Sequence, residues 1–134
     1  KHDMTDGPPP TDSPPDFIFL DPPYGPQKQG EYSDSKSDLS NLDVDTFCKT
    51  MQDIMGYWKK GRIAICMSSL RKDKEFSDLP VRMADALRAK HWKLIEHIIS
   101  VYNSPASETG FWIENARKNR WLMRKHLHIL VGEK

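Results

Sequence analysis

Residues 17–24 have the sequence Phe-Ile-Phe-Leu-Asp-Pro-Pro-Tyr. Phe17–Leu20 is a short, continuously apolar run, typical of a strand that is buried on both faces of a parallel sheet. The strand must end at Asp21-Pro22-Pro23, because proline has no N–H group to donate to a neighbouring strand. We therefore predict a buried strand over residues 17–20, with Asp21 at its carboxyl end.

Outward from this strand, the hydrophobic pattern predicts alternating helices and strands. Asp43 is placed to cap a helix whose apolar positions run from Val44 to Trp58, and Lys59, Lys60 and Gly61 are placed to end it. Residues 103–119 contain Pro105 and Gly110 with little periodicity and are interpreted as a long loop. The remaining predicted elements are strands at about 62–67, 92–102 and 127–131 and a helix at about 79–90.

This order of elements predicts an α/β sheet of the doubly wound type, built from strand–helix–strand units with right-handed crossovers. The four strands should share one sheet, with the strands at 17–20 and 62–67 parallel and adjacent. Ligands of such sheets bind outside the carboxyl ends of the strands. Asp21 follows the first strand and Ser68-Ser69 follows the second, so we expect both at one ligand-binding edge.

The Asp-Pro-Pro-Tyr sequence at residues 21–24 resembles the catalytic motif of S-adenosylmethionine (AdoMet)-dependent amino-methyltransferases, which modify adenine N6 or cytosine N4. Three further stretches resemble the DNA-methyltransferase branch: Tyr32-Ser33-Asp34, Asp38-Leu39-Ser40-Asn41 and His128-Ile129-Leu130-Val131. The resemblance covers about residues 16–134 and implies the catalytic part of a methyltransferase domain. It implies a Rossmann-like sheet with flanking helices, of which this chain holds about four of the usual seven strands.

The resemblance also implies roles for the motif residues. Asp21, Pro22, Pro23 and Tyr24 are expected to be catalytic, with Asp21 also at the AdoMet site. An exocyclic amino group is a poor nucleophile because its lone pair is delocalised into the ring. The Asp21 carboxylate and the Pro22 carbonyl would accept its N–H groups, and Tyr24 would stack on a flipped-out base. Tyr32 is a further expected nucleic-acid contact.

The cofactor-binding motif of the family, a glycine-rich Phe-x-Gly-x-Gly turn, has no counterpart here, since the seven glycines are scattered. The leading interpretation is a DNA methyltransferase specific for adenine N6, because cytosine-N4 enzymes more often begin the motif with Ser. Two alternatives stay open: an RNA amino-methyltransferase, and a catalytically incomplete nucleic-acid-binding remnant.

A cluster of basic residues near Trp112 and Trp121 is the second candidate nucleic-acid contact, with a solvated loop beside a core tryptophan as the alternative. The net charge of +1 makes any basic surface local. His126 and His128 share a face of their strand, but no further ligand is spaced to complete a metal site, and none is predicted. The basic cluster comprises Arg117, Lys118, Arg120, Arg124 and Lys125.

Length and composition set the remaining expectations. The 134 residues fit one domain, and the proline-rich residues 1–15 are interpreted as a flexible linker or loop before a catalytic part at 16–134. Cys48 and Cys66 have no paired spacing, which favours a reducing compartment. No apolar run approaches the roughly 20 residues of a membrane span. We therefore expect a cytoplasmic protein without a membrane partner; oligomeric state stays open.

Overall fold

The computed structural model describes residues 4–24, 34, 38–72, 75–101, 110–120 and 126–134. Its strands are β1 (Phe17–Leu20), β2 (Arg62–Met67), β3 (Leu70–Lys72), β4 (Glu75–Ser77), β5 (Lys93–Val101) and β6 (His126–Glu133). Its α-helices are α1 (Val44–Met55), α2 (Leu79–Ala89) and α3 (Gly110–Asn119), and short 3₁₀ turns lie at Met4–Asp6 and Leu39–Asn41.

Four of these strands form one sheet in the order β1-β2-β6-β5. β1 and β2 are parallel, whereas β6 is antiparallel to both of its neighbours. The predicted single sheet is therefore confirmed, as is the parallel pairing of the first two strands. The predicted α/β class with flanking helices is confirmed as well.

The main core lies between this sheet and the helices α1 and α2. Ile63, Ile65 and Met67 alternate along β2 and are fully buried, so they mark one face of the sheet, which we call the first face. Both helices contribute to the same buried cluster. In the sheet, β2 lies to one side of β1, and β5 lies further out on that same side, so the crossovers β1–α1–β2 and β2–α2–β5 run in the same direction. Because both crossovers have the same handedness, α1 and α2 lie on one face of the sheet.

The opposite face of the sheet, which we call the second face, corrects the prediction for β1. Ile18 is buried on the first face, but Phe17 and Phe19 point the other way and are 56% and 57% exposed. A continuous apolar run indicated burial on both faces, and the described residues cover β1 on the first face only.

Helix α1 begins where the sequence predicts and ends earlier. The Asp43 carboxylate accepts hydrogen bonds from the N–H groups of Asp45 and Thr46, each at 3.0 Å. The bond from the Thr46 hydroxyl, and then these backbone bonds, lower the pKa of Asp43. The helix ends at Met55 with Gly56 as its C-cap, so the stop predicted at Lys59–Gly61 is wrong. Trp58 lies in the connection after the helix, and its side chain is buried.

Two further elements depart from the predictions. The segment interpreted as a loop at 103–119 contains helix α3 over Gly110–Asn119. The strands β3 and β4 form a separate two-stranded antiparallel sheet between β2 and α2, which the hydrophobic pattern did not indicate. The boundary predicted at residue 16 stays a prediction, although Met4 packs against the main core.

Candidate active site

The carboxyl ends of three strands meet at one edge of the sheet. β1 and β2 are parallel, and β5 runs in the same direction because β6 is antiparallel to both β2 and β5. Asp21 follows β1 at this edge, and Ser68-Ser69 follows β2. The structure therefore brings together the two sequence-predicted segments at the position where α/β sheets bind ligands.

Asp21 lies at this edge with its side chain exposed, while Pro22 behind it is buried and Pro23 is half-buried. Within the described part of the chain, no hydrogen bond or ion pair engages the Asp21 carboxylate. Its negative charge raises the pKa of the Cys66 thiol, an effect second to the burial of Cys66 itself. Asp21 is thus an available acceptor on a turn that two prolines hold rigid, next to the end of β2.

The hydroxyl and the ring of Tyr24 each make a contact that holds the side chain in place. Its hydroxyl accepts a hydrogen bond from the backbone N–H of Ser68 at 2.6 Å. Its ring packs against Phe47 of α1, with 6.3 Å between the ring centroids and 55° between the planes. These contacts tie the turn after β1 to the end of β2, and they fix an aromatic ring that remains half-buried.

The sequence places Ser68 at this edge but gives no signal for the Tyr24–Ser68 bond. The bond joins a side chain to a backbone group 44 residues away, so only the β1–β2 pairing brings the two groups together. Ser69 is buried beside it, and its hydroxyl donates to Asp78, the residue before α2, at 3.4 Å. The strand end is thereby held from both sides.

The segment Asp38–Asn41 leads from the turn into α1. The Asp38 carboxylate accepts hydrogen bonds from the N–H and the hydroxyl of Ser40, at 2.9 and 2.7 Å. Ser40 is almost completely buried, and the 3₁₀ turn at Leu39–Asn41 contains it. This stretch, singled out by the resemblance, thus fixes how the chain enters the helix that packs against Tyr24.

Three histidines form a cluster that the sequence reveals only in part. His97 Nε2 and His128 Nδ1 are 2.7 Å apart and share a hydrogen bond, and the rings of His126 and His128 lie 5.0 Å apart between centroids. Burial first, and then the nearby imidazoles, lower the pKa of His128, against an opposing effect of Asp78. His97 is on β5, so strand pairing supplies a neighbour that sequence spacing does not show.

The histidine cluster lies next to the candidate edge, since His128 pairs with Met67 at the end of β2. The Ser68 hydroxyl also donates to the carbonyl of His126, at 3.5 Å. Among the described residues, no group of three or more His, Cys, Asp or Glu side chains is arranged to hold a metal ion.

The basic residues predicted to contact nucleic acid lie at the end of α3. Arg117 and Lys118 are in its last turn, Arg120 follows it, and all three are exposed. Arg117 forms an exposed ion pair with Glu114 at 3.4 Å. The chain leaves the sheet at the end of β5 and returns to it at the start of β6, and both points lie at the candidate edge. The connection that contains α3 therefore starts and ends at the edge that carries Asp21.

Some predicted residues lie outside the described residues: Tyr32, Trp121, Arg124 and Lys125. Across the part of the chain that is described, every helix falls short of the length and apolarity that crossing a membrane requires.

Comparison with known proteins shows the fold. No protein-family model and no curated protein matches this chain. Three crystal structures of one protein, a candidate DNA modification methylase from Thermus thermophilus, are similar to it. The selenomethionine derivative has a TM-score of 0.59 at 14% identity, covering 92% of this chain and 47% of that one.

The other two crystal structures agree with the first. One has a TM-score of 0.58 at 15% identity, covering 89% of this chain and 45% of that one. The other, a complex with S-adenosyl-L-methionine, has a TM-score of 0.57 at 12% identity, covering 89% and 47%. The chain therefore has the fold of one part of this bacterial protein and spans about half of its length.

Proposed function

We propose that this chain is the catalytic half of an AdoMet-dependent amino-methyltransferase that transfers a methyl group to adenine N6 of DNA. The observation that carries the proposal is the exposed Asp21 carboxylate on a proline-fixed turn at the carboxyl edge of the sheet. The fold shared with a candidate DNA modification methylase supports it, as does the crystal complex of that protein with S-adenosyl-L-methionine.

The turn provides what amino methylation requires. The Asp21 carboxylate and the Pro22 carbonyl accept the two N–H groups of the target amine, which turns the nitrogen lone pair toward the methyl donor. Pro22 is buried, so its carbonyl is held in place rather than free to reorient. These acceptors act by positioning and by stabilising the positive charge that develops on nitrogen, and no covalent bond to the protein forms.

The cofactor fits this chain only in part. AdoMet, when bound, supplies an electrophilic methyl group, and Asp21 is the residue of this chain that we assign beside it. A glycine-rich turn to hold the rest of the cofactor has no counterpart in the 134 residues. Asp21 also provides a base near the nitrogen that must lose a proton once the new N–C bond has formed.

The target base is held by aromatic stacking and by phosphate contacts in this proposal. The half-buried Tyr24 ring, fixed by Ser68 and Phe47, presents a rigid surface for a flipped-out base. Stacking of this kind is worth about 1–3 kcal/mol per base. Arg117, Lys118 and Arg120 would contact backbone phosphates, and Tyr32 is a further proposed nucleic-acid contact.

The test is single-turnover transfer of tritiated methyl groups to DNA and RNA oligonucleotides by the complete protein that contains this chain. Asp21→Ala should lower the rate by about 10²–10³, by analogy with removing a preorganised oxyanion-hole donor. DNA affinity and melting temperature should change little, since Asp21 is exposed and its removal opens no core cavity.

The matched control is Asp12→Ala, which removes an exposed carboxylate ahead of β1. It should leave the rate unchanged. A near-wild-type rate for Asp21→Ala would refute the catalytic assignment. Methylation of RNA alone would select the RNA enzyme, methylation of cytosine would correct the base, and binding without transfer would select the non-catalytic remnant.

A further inference from the structure

The strands β3 and β4, which we call the hairpin, follow β2 at the candidate edge of the sheet. β3 begins at Leu70, two residues after Ser68, whose N–H donates to the Tyr24 hydroxyl. Three residues of chain span at most about 11 Å, so the Cα atom of Arg71 in β3 lies within that distance of the Ser68 Cα atom. The DNA major groove is roughly 12 Å wide. The hairpin and Tyr24 are therefore close enough to contact the same nucleic acid.

Two contacts hold the hairpin at its base. Leu70, the first residue of β3, is 4% exposed and belongs to the main core. Ser69, just before β3, donates through its hydroxyl to Asp78, just after β4, at 3.4 Å. A two-stranded hairpin is only marginally stable by itself, so these contacts are what fix it to the rest of the fold.

One face of the hairpin points away from the core and carries Phe76. The register pairs Arg71 directly with Phe76. Because successive residues of a strand face opposite sides, Arg71 and Phe76 share the face opposite to that of the buried Leu70. Phe76 is accordingly 55% exposed, and Arg71 is half-buried across from it. The hairpin thus presents an aromatic ring and a guanidinium group together, at the edge that carries Asp21.

A single aromatic ring among charged residues suits nucleic acid better than a protein partner. Phe76 is the one apolar residue of the sequence 71–77, whereas the centre of a protein interface is apolar and depleted of charge. An exposed ring of this kind stacks on one base, and an arginine next to it binds a phosphate. Flipping a target base out of a duplex unstacks it from its neighbours, which exposes base faces for such stacking.

We propose that the hairpin is a second nucleic-acid contact, in which the Phe76 ring stacks on a DNA base beside the flipped-out target and Arg71 contacts the adjoining phosphate. This inference rests on the proposed function for the flipped base. Tyr24 holds the target base, Phe76 holds a neighbouring one, and the bond between Tyr24 and Ser68 links the two contacts. The hairpin thereby adds affinity for opened DNA without touching the reacting atoms.

The first measurement is the affinity of the complete protein for two single strands of equal length, one of thymidines and one of base-free sugar phosphates, followed by fluorescence anisotropy. Phe76→Leu keeps an apolar side chain but removes the ring, so it should weaken binding of the thymidine strand by at least about fivefold. Its binding of the base-free strand should change by less than about twofold, because only phosphates are contacted there. Phe76→Trp keeps a ring and should match the wild type on both strands. Equal changes on the two strands overturn the stacking contact.

Phe17→Leu is the matched control. Phe17 is 56% exposed against 55% for Phe76, but it begins β1 and so lies at the opposite edge of the sheet. The same substitution there should leave the affinity for both strands unchanged. Thermal melts accompany each variant, because Phe76 is exposed and its replacement should not lower the melting temperature. A Phe76→Leu variant that melts lower and binds both strands like the wild type would assign Phe76 to a polypeptide contact and overturn the proposal.

Arg71 is tested by the salt dependence of binding. Arg71→Gln should weaken binding of both strands and lower the slope of log K against log salt concentration by about 0.7, the value for one phosphate contact on a single strand. Arg71→Lys keeps the charge and should keep the slope, which separates the phosphate contact from any structural loss. An unchanged slope in Arg71→Gln overturns the phosphate contact.

The outcomes also separate this inference from the proposed function. Ring-dependent binding of the thymidine strand by a protein that transfers no methyl group would refute the function and the flipped base but leave the stacking contact of the hairpin. Methyl transfer that depends on Asp21, with Phe76→Leu binding the thymidine strand like the wild type, would refute the hairpin contact alone.

Discussion

At the scale of single residues, Tyr24 has a structural task beside its proposed role in binding the base. Its hydroxyl satisfies the Ser68 N–H, and Tyr24→Phe removes that acceptor while keeping the ring. We expect Tyr24→Phe to cost about 1 kcal/mol of stability, the usual net value of such a bond, with the Michaelis constant for DNA nearly unchanged. Thermal melts and steady-state kinetics on the complete protein measure both.

Tyr24→Ala should separate the two roles of this residue. It removes the ring as well, so it should raise the Michaelis constant in addition to lowering the melting temperature. A Michaelis constant that rises equally in Tyr24→Phe and Tyr24→Ala would contradict the stacking role, because only the second variant loses the ring.

His128 makes stability depend on pH. Its pKa lies below the ordinary value of about 6.5, because burial and the neighbouring His97 and His126 disfavour its charged form. The unfolded chain therefore binds a proton at a higher pH than the folded chain does. The stability contribution is complete above about pH 6.5 and is lost as the pH falls through the lowered folded-state pKa.

The measurement is the fall in melting temperature between about pH 7.5 and about pH 5.5, which brackets the ordinary histidine pKa. His128→Gln removes the titrating group, so the variant should show a smaller fall than the wild type. Equal falls in the two proteins would assign the pH dependence to other groups.

At the scale of elements, the start of α1 could be predicted and its end could not. Asp43 caps the helix through bonds to residues two and three positions away, so the signal is local. The end of α1 at the Gly56 C-cap is also supported by a distant residue, which sequence spacing does not show. The indole N–H of Trp92 donates to the carbonyl of Met55 at 3.1 Å, inside the core, and satisfies a helix-terminal acceptor from 37 residues away.

Helix α3 and the β3–β4 sheet escaped prediction for a related reason. Gly110 begins α3, a residue that helices disfavour, and the helix has few apolar positions to set a pattern. β3 and β4 have three residues each, which is too short for an alternating pattern to be distinguished from a loop. Strands buried in the main sheet, such as β2, were predictable because their apolar runs are longer.

Gly61, just before β2, has a backbone conformation and a close contact that favour glycine. Its φ is +104°, and a Cβ there would lie 2.9 Å from the carbonyl oxygen of Asp16, whose oxygen also accepts the Arg62 N–H at the start of β2. Gly61→Ala should therefore destabilise the β1–β2 pairing by about 1–3 kcal/mol. Chemical denaturation measures this free energy.

Two other glycines serve as controls for this experiment. Gly7 also has a positive φ, but a Cβ there meets nothing within 4 Å, so Gly7→Ala isolates the backbone strain from the steric clash. Gly110→Ala meets neither problem and should be neutral or stabilising by up to about 1 kcal/mol. If Gly61→Ala is no worse than Gly7→Ala, the close approach of Asp16 is not what requires glycine.

At the scale of the whole molecule, the sequence predicts the sheet better than it predicts which surfaces are covered. The parallel β1–β2 pair and the common edge of Asp21 and Ser68 follow from strand order and crossovers. Coverage of the second face does not follow, because the apolar run of β1 predicts burial on both faces whereas Phe17 and Phe19 are exposed in the described part of the chain. A hydrophobic pattern records which side chains are apolar and carries no information on which segment covers them.

The 134-residue chain has no glycine-rich turn, and this gives a prediction for the AdoMet affinity of the chain alone. The first-face core is closed by residues of this chain, so it should fold, and circular dichroism should report its helices. The site should nevertheless be only half built, because in the proposed function Asp21 contacts one part of the cofactor, and the sequence has no glycine-rich turn for the remainder. Calorimetry should therefore detect no binding at micromolar concentrations. A Kd of about 1 μM corresponds to about 8 kcal/mol of binding free energy, which is far more than one exposed carboxylate supplies. Such an affinity would show that this chain holds the whole cofactor site.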